Sequence, residues 1–214
     1  MKTETVTINS PFGIQIEQRF YVQEPRADRL LIILPGRGYT VHHPVLSYLW
    51  QMGLANGWDV LPVEYGFQRS GTFELHQMPH VMDDVKLTTE PVLQDHTYRR
   101  ICIAGKSMGT PLAMQLAQTV QADHISQILL TPIGPALQPA GDIPTLAIIG
   151  MEDSFYTPGV GDNPPTNVTW HILERLDHGL IDPSHWRYSL HMLETIIATC
   201  EYFLREHTNA RKVK

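Results

Sequence analysis

The chain has 214 residues, 43% of them hydrophobic and 18% charged. That is enough for one packed core but not for two domains of a typical size of about 150 residues that each bury a full one. Twenty-two acidic residues against 16 Lys and Arg leave a formal charge of -6, so the continuous basic field that grips a polyanion is missing and no nucleic-acid partner is expected. Two cysteines, Cys102 and Cys200, lie in separate apolar segments without a CxxC pairing, which argues against a disulfide scaffold or structural zinc and for two buried thiols.

Residues 1–10 carry Lys2 and Glu4 and no apolar run of signal-peptide length, and the longest aliphatic stretch, residues 30–34, is far too short to span a bilayer. A cytoplasmic protein with no membrane partner is therefore expected. Alternating residues at 4–8 and 14–21, separated by Asn9-Ser10-Pro11-Phe12-Gly13, read as an antiparallel hairpin. Residues 30–34 are apolar on both faces, as a buried parallel strand requires, and stop at Pro35-Gly36-Arg37-Gly38, where a loop must begin.

A helix over 44–56 ends at Gly57, a strand follows over 58–63, and 64–71 reads as loop. The rhythm then repeats with a helix near 78–94, a strand at 100–104, a helix at 108–120, strands at 125–130, 145–149 and 168–173, and a last helix over about 183–205. This order predicts an α/β chain with a mostly parallel central sheet of about eight strands flanked by helices, folded as one domain over 1–214. Residues 131–142 hold three prolines and two glycines, which leaves no room for a substantial helical insertion, so no cap domain is expected. The tail 207–214 is expected to fray.

Gly105-Lys106-Ser107-Met108-Gly109 joins the strand at 100–104 directly to a helix. A strand that turns at once into a helix forces the residue at the bend into strained backbone geometry and requires small neighbours two positions away, as Gly105 and Gly109 are. Chance gives roughly 0.04 matches to such a pattern in a chain of this composition, so the pattern is informative. A serine at such a bend stands at a helix N-terminus, where partial positive charge favours a developing anion, but its hydroxyl needs a base and the base needs an acid.

Eleven histidines compete for the role of base, and position selects among them, because functional groups of open α/β sheets gather at the C-terminal ends of strands. His178 lies on the loop just after the strand at 168–173. Asp153 follows the strand at 145–149 at the same edge of the sheet; its neighbour Glu152 is the alternative, since adjacent loop residues point in different directions. His42 and His43 read as a surface doublet bordering the loop after residue 34. His178 and His185 lack an HExxH or carboxylate partner pattern, so no metal and no cofactor are expected.

The order Ser107, Asp153, His178 together with the strand-turn-helix around Gly105 and Gly109 resembles the α/β-hydrolase family over nearly the whole chain. Within it, the chain is similar to small lidless serine hydrolases related to dienelactone hydrolases and carboxylesterases, with serine where dienelactone hydrolases have cysteine. The resemblance implies a Ser107-His178-Asp153 catalytic triad and an oxyanion hole formed by the Met108 amide and the Arg37 amide, with Pro35-Gly36 where the family often has His-Gly. It further implies a small-molecule ester or thioester as substrate, bound near Gly36, Tyr39 and Tyr65. Peptidase or lysophospholipase action uses the same three groups, and a non-catalytic binding or scaffold role on this fold is the alternative from another class. The Arg37 guanidinium faces either solvent or a substrate carboxylate, and Tyr65 either contacts substrate or packs under the loop. Tyr39, Met108, Met151, Phe155 and Tyr156 are candidates for apolar walls of a shallow, open site.

Overall fold

The computed structural model describes residues 1–139 and 141–209. Strands β1 (Lys2–Ser10) and β2 (Ile14–Val22) form the expected hairpin, each a little longer than its alternating pattern. After β3 (Arg29–Leu34) the chain alternates helix and strand: α1 (Pro44–Ala55), β4 (Asp59–Pro62), the five-residue α2 (Gly66–Ser70), α3 (Met78–Asp95), β5 (Arg100–Lys106), α4 (Gly109–Ala117), β6 (His124–Leu130), β7 (Thr145–Gly150), β8 (Val168–Leu173) and α5 (Trp186–Asn209).

The eight strands form one sheet in the order β1-β2-β4-β3-β5-β6-β7-β8. β2 runs antiparallel to β1 and β4, and every pair from β4 to β8 is parallel. Parallel strands need crossovers, and these cover both faces of the sheet. Leu30, Ile32 and Leu34 of β3 pack with Val81 and Val85 of α3 and Leu112 and Leu116 of α4. The residues between them, Leu31 and Ile33, face the other layer with Leu46 and Leu49 of α1 and Ile196 and Phe203 of α5. One strand thus feeds two cores by side-chain alternation alone.

The path out of β3 goes to β4 on one side, and the return through α3 places β5 on the other side of β3. This reversal opens a crevice at the carboxyl ends of β3 and β5, the position where open α/β sheets bind ligands. Leu34 pairs with Gly105 at that end, so the loop after β3 and the bend after β5 begin side by side.

Several boundaries differ from the pattern-based expectations. The segment 64–71 is not all loop: α2 lies within it, stopped by Gly71 in the left-handed conformation at φ 83°. α4 is shorter than 108–120 at both ends, because Met108 is still part of the bend and Gln118 caps the helix. Residues 131–142 contain only a single 3-10 turn, Gly134–Leu137, and no cap domain is inserted among the described residues. α5 begins at Trp186 rather than near 183 and continues past His207, whose ring packs against Phe203 at 4.4 Å, so this part of the expected frayed tail is helical. Residues 210–214 of that tail lie outside the described residues. Among the described residues, no helix is long and apolar enough to cross a membrane.

Both cysteines are buried, Cys102 in β5 and Cys200 in α5, within the layer formed by α1 and α5. Burial pushes the Cys102 thiol up to about 12 against a weaker opposing hydrogen bond with Ser126, and burial raises Cys200 as well.

Candidate functional site

The site is built on the turn between β5 and α4. Ser107 takes φ 52°, a left-handed conformation that a non-glycine residue keeps only when its surroundings enforce it. Several bonds do so. The Ser107 amide donates to the Leu130 carbonyl of β6 at 2.9 Å, and the Ser107 carbonyl accepts from the Thr110 amide at 2.8 Å and the Thr110 hydroxyl at 2.7 Å. On either side, a Cβ at Gly105 would strike the Gly109 carbonyl and lie 2.8 Å from Thr110 Cα. A Cβ at Gly109 would strike the Leu34 carbonyl and lie 2.7 Å from that of Pro35. Gly105 thus lets the start of α4 fold back on the end of β5, and Gly109 lets it press against the end of β3.

The structure brings Ser107, His178 and Asp153 together. His178 Nδ1 lies 2.8 Å from Asp153 Oδ2, and Nε2 lies 2.7 Å from Ser107 Oγ. With Nδ1–H donating to the carboxylate, Nε2 has a free lone pair and accepts a hydrogen bond from the serine hydroxyl. Asp153 is held in its turn: its Oδ1 accepts the Phe155 amide at 2.9 Å and its amide donates to the Gly150 carbonyl at 3.2 Å. Its side chain is fully buried, whereas that of His178 is 34% exposed, so the site opens at the hydroxyl and closes at the acid. Glu152, the alternative acid, is exposed and makes no contact with His178 among the described residues. Phe155 packs its ring 5.2 Å from that of His178.

The loop carrying His178 is a compact turn. Asp177 Oδ1 accepts the Gly179 amide at 2.7 Å and the Ile181 amide at 3.2 Å, and Leu180, at φ 60°, drives its side chain into the core.

Across the crevice, the loop after β3 is braced from beneath. The Gly36 amide is engaged by the Tyr39 carbonyl at 3.0 Å, Gln68 of α2 donates to the Gly36 carbonyl at 3.0 Å, and the Tyr65 hydroxyl donates to the Pro35 carbonyl at 3.1 Å. Among the described residues, the Arg37 and Met108 amides donate to no protein acceptor, which leaves both for a ligand. Gly36 lies against Ser107, since a Cβ there would come 3.4 Å from Ser107 Cβ. Tyr65, expected at a substrate rim, is instead completely buried and packs under the loop; its burial raises its pKa well above the usual phenol range. Tyr39 is half-buried and its hydroxyl accepts the Val45 amide of α1 at 3.1 Å, so its polar end is engaged by α1. The Arg37 guanidinium is exposed, donating to the Phe73 carbonyl at 3.3 Å and lying 5.3 Å from the Phe73 ring.

Of the other candidate walls, Met108 is buried, Met151 and Phe155 are each 43% exposed, and Tyr156 is half-buried. His42 and His43 are exposed; His42 approaches Glu64 at 3.6 Å, and His43 Nδ1 accepts the Thr40 amide at 3.0 Å just before α1. Among the described residues, no group of three His, Cys, Asp or Glu side chains gathers as a metal site would need. The residue that pattern reading passed over is Lys106. It is 1% exposed, and its Nζ donates to Thr131 Oγ1 and to the His178 carbonyl, both at 2.6 Å. The signal for it was its place: β5 extends to residue 106, so a lysine occupies the last position of a central strand, where solvent is scarce.

No protein-family model and no curated protein matches the chain. Solved structures do. A protein of unknown function from Agrobacterium tumefaciens superposes with a TM-score of 0.71 at 18% identity, over 97% of this chain and 98% of that one. A serine hydrolase without a lid from Xanthomonas campestris gives 0.68 at 15%, over 96% and 95%. An esterase from Pyrococcus furiosus gives 0.68 at 14%, over 96% and 93%. At such identities the likeness is one of fold, and the fold is that of the α/β hydrolases.

Two outcomes follow from this geometry. Gly109→Ala loses about 3 kcal/mol or more of stability, because backbone rather than a flexible side chain must move; denaturant unfolding of the two proteins measures it. Burial also lowers the Lys106 ammonium to about 8 from 10.5, against the opposing fields of Asp153 and Asp177. Between those values the unfolded chain keeps a proton that the native protein has released, so this group's contribution to stability rises with pH, and its full penalty is present below pH 8. The unfolding free energy of the wild type, taken relative to Lys106→Met, increases by about 3 kcal/mol from pH 7 to pH 11. A difference that stays flat over that range would mean an ordinary, solvated lysine.

Proposed function

We propose, from the α/β-hydrolase fold and the hydrogen-bonded chain Asp153-His178-Ser107, that this protein is a serine hydrolase of small carboxylic esters or thioesters. The observation that carries the reading is the 2.7 Å approach of His178 Nε2 to a serine hydroxyl held in strained geometry, with a buried carboxylate at the far nitrogen. A buried acid in contact with Nδ1 stabilises the imidazolium that forms on proton transfer.

Ser107 Oγ attacks the carbonyl carbon while its proton passes to His178 Nε2. The carbonyl oxygen becomes an oxyanion, for which the Arg37 and Met108 amides are the proposed donors; a single donor of this kind contributes about 3 kcal/mol to lowering the barrier. The imidazolium returns the proton to the departing alkoxide or thiolate, and the acyl group stays on Ser107. Water then attacks the acyl carbonyl carbon while one of its protons passes to Nε2; the acyl–Oγ bond breaks, the carboxylic acid leaves, and Nε2 hands that proton to Ser107 Oγ.

Exposure of His178, of the Phe155 ring packed beside it and of Met151 on the same loop as Phe155 supports a shallow site suited to short or polar acyl groups rather than long chains that need an enclosed tunnel. A net charge of -6 goes with a small-molecule substrate rather than a nucleic acid.

Wild type should react covalently with a fluorophosphonate probe at Ser107, and Ser107→Ala should lose the label and at least about a thousand-fold of its rate on p-nitrophenyl acetate while keeping its circular dichroism. Parent-level hydrolysis by Ser107→Ala rejects the assignment, and a folded wild type that takes no label points to a binding protein on a hydrolase scaffold.

A further inference from the structure

We infer that Lys106 is a positioning residue for the histidine: its ammonium, buried beneath the triad, holds the His178 main chain and so sets where the imidazole stands over Ser107. The inference rests on the hydrolase reading and goes beyond the three residues that carry it.

Consider first what the cation touches. Its two hydrogen bonds go to neutral oxygens, the Thr131 hydroxyl and the His178 carbonyl, while Asp153 and Asp177 act on it only through space. Its remaining side lies 4.9 Å from the centre of the Tyr39 ring. A lysine sealed from water without a directly bonded carboxylate is a costly occupant of a strand whose preceding residues, Ile101, Cys102, Ile103 and Ala104, are apolar. A core position needs only volume, which an apolar side chain supplies at lower cost. What an apolar side chain lacks is a donor that reaches the loop after β8.

That reach answers a need. Among the described residues, the bond from Lys106 is the one hydrogen bond made by the His178 main chain. The turn bonds of Asp177 tie the loop to itself, the Glu152 amide holds it at the Leu176 carbonyl two residues upstream at 3.0 Å, and Leu180 anchors it by apolar burial, which does not fix direction; none of these bonds the His178 main chain itself. Lys106 precedes Ser107 directly, so one strand end carries both the nucleophile and the tether of the base, and the two move as one body. Thr131, itself at φ 46° and bonded through its amide to the Ile148 carbonyl at 2.7 Å, aims the ammonium by taking another of its protons. The imidazole is thereby constrained at Nδ1 by Asp153, on one face by Phe155 and at its own backbone by Lys106.

Displacement of a reacting group by about 1 Å can cost on the order of a hundred-fold in rate. Lys106→Met keeps an unbranched side chain that stops one atom short of the ammonium and removes the donors. Its kcat on p-nitrophenyl acetate should fall about 10- to 100-fold with KM within about twofold, and fluorophosphonate labelling of Ser107 should slow in parallel, in protein that remains folded by circular dichroism. In Lys106→Ala, added ethylamine should restore kcat in a saturable way and ethanol should not, a response that a space-filling role would not give. A folded Lys106→Met with wild-type kcat and labelling rate overturns the inference. If neither variant folds, Thr131→Val, which removes one of the two oxygens that aim the ammonium, should lower kcat several-fold at unchanged KM, and wild-type kcat there overturns it equally. Failure of the wild type itself to label rejects the hydrolase reading instead, so the two failures are distinguishable.

Discussion

Everything in the crevice depends on the closeness with which the start of α4 presses against the end of β3. With no room for a Cβ at Gly105 or Gly109, the chain between them has one way to turn, and Ser107 is carried through a left-handed conformation that lifts its hydroxyl out of the backbone. Such strain of order 1–3 kcal/mol persists only where neighbouring structure over-determines it. Here the bonds to Leu130 and Thr110 do that. The same contact brings the loop at 35–38 beside Ser107, so one packing constraint positions the serine hydroxyl and two unengaged amides together.

The polar groups around this bend form two tiers. At the surface are the hydroxyl, the imidazole and the amides of Arg37 and Met108, all within reach of a ligand. Beneath them, and withdrawn from water, lie Asp153, Lys106, Tyr65 and Thr131; the first three are bonded upward to the imidazole or to a loop of the first tier, and Thr131 holds Lys106. Burial makes each of these lower bonds more directional, and also costly to leave unmade. The lower tier therefore acts as a rigid frame, while the upper one stays open to solvent.

Much of this was legible in the residues. The strand-helix rhythm is written in apolar runs of strand length, and the bend at 105–109 is written in two glycines around a serine. The loop placement that singled out His178 among eleven histidines used only strand order, and the structure brings that side chain to Ser107 and Asp153. What was not legible depends on three-dimensional burial. Asp153 and Glu152 are neighbours of like charge, and only the packing of the turn at residue 150 decides which faces inward. Tyr65 looked like a rim residue because it follows a strand end, yet α2 folds over it. α2 itself has five residues, too few for a helical period to register. Lys106 was hidden because a charged residue beside a glycine reads as solvated, when in fact β5 runs two residues further than its apolar run.

The two cysteines bear on a different part of the molecule. Cys102 in the sheet and Cys200 in α5 face each other's layer with both thiols held in the protonated form by their surroundings, and a protonated, enclosed sulfur neither alkylates nor exchanges. An alkylating dye added to the native protein finds nothing to modify. Its uptake marks the moment when the C-terminal helix parts from the strands, which makes this pair a built-in clock for the opening of that side of the fold.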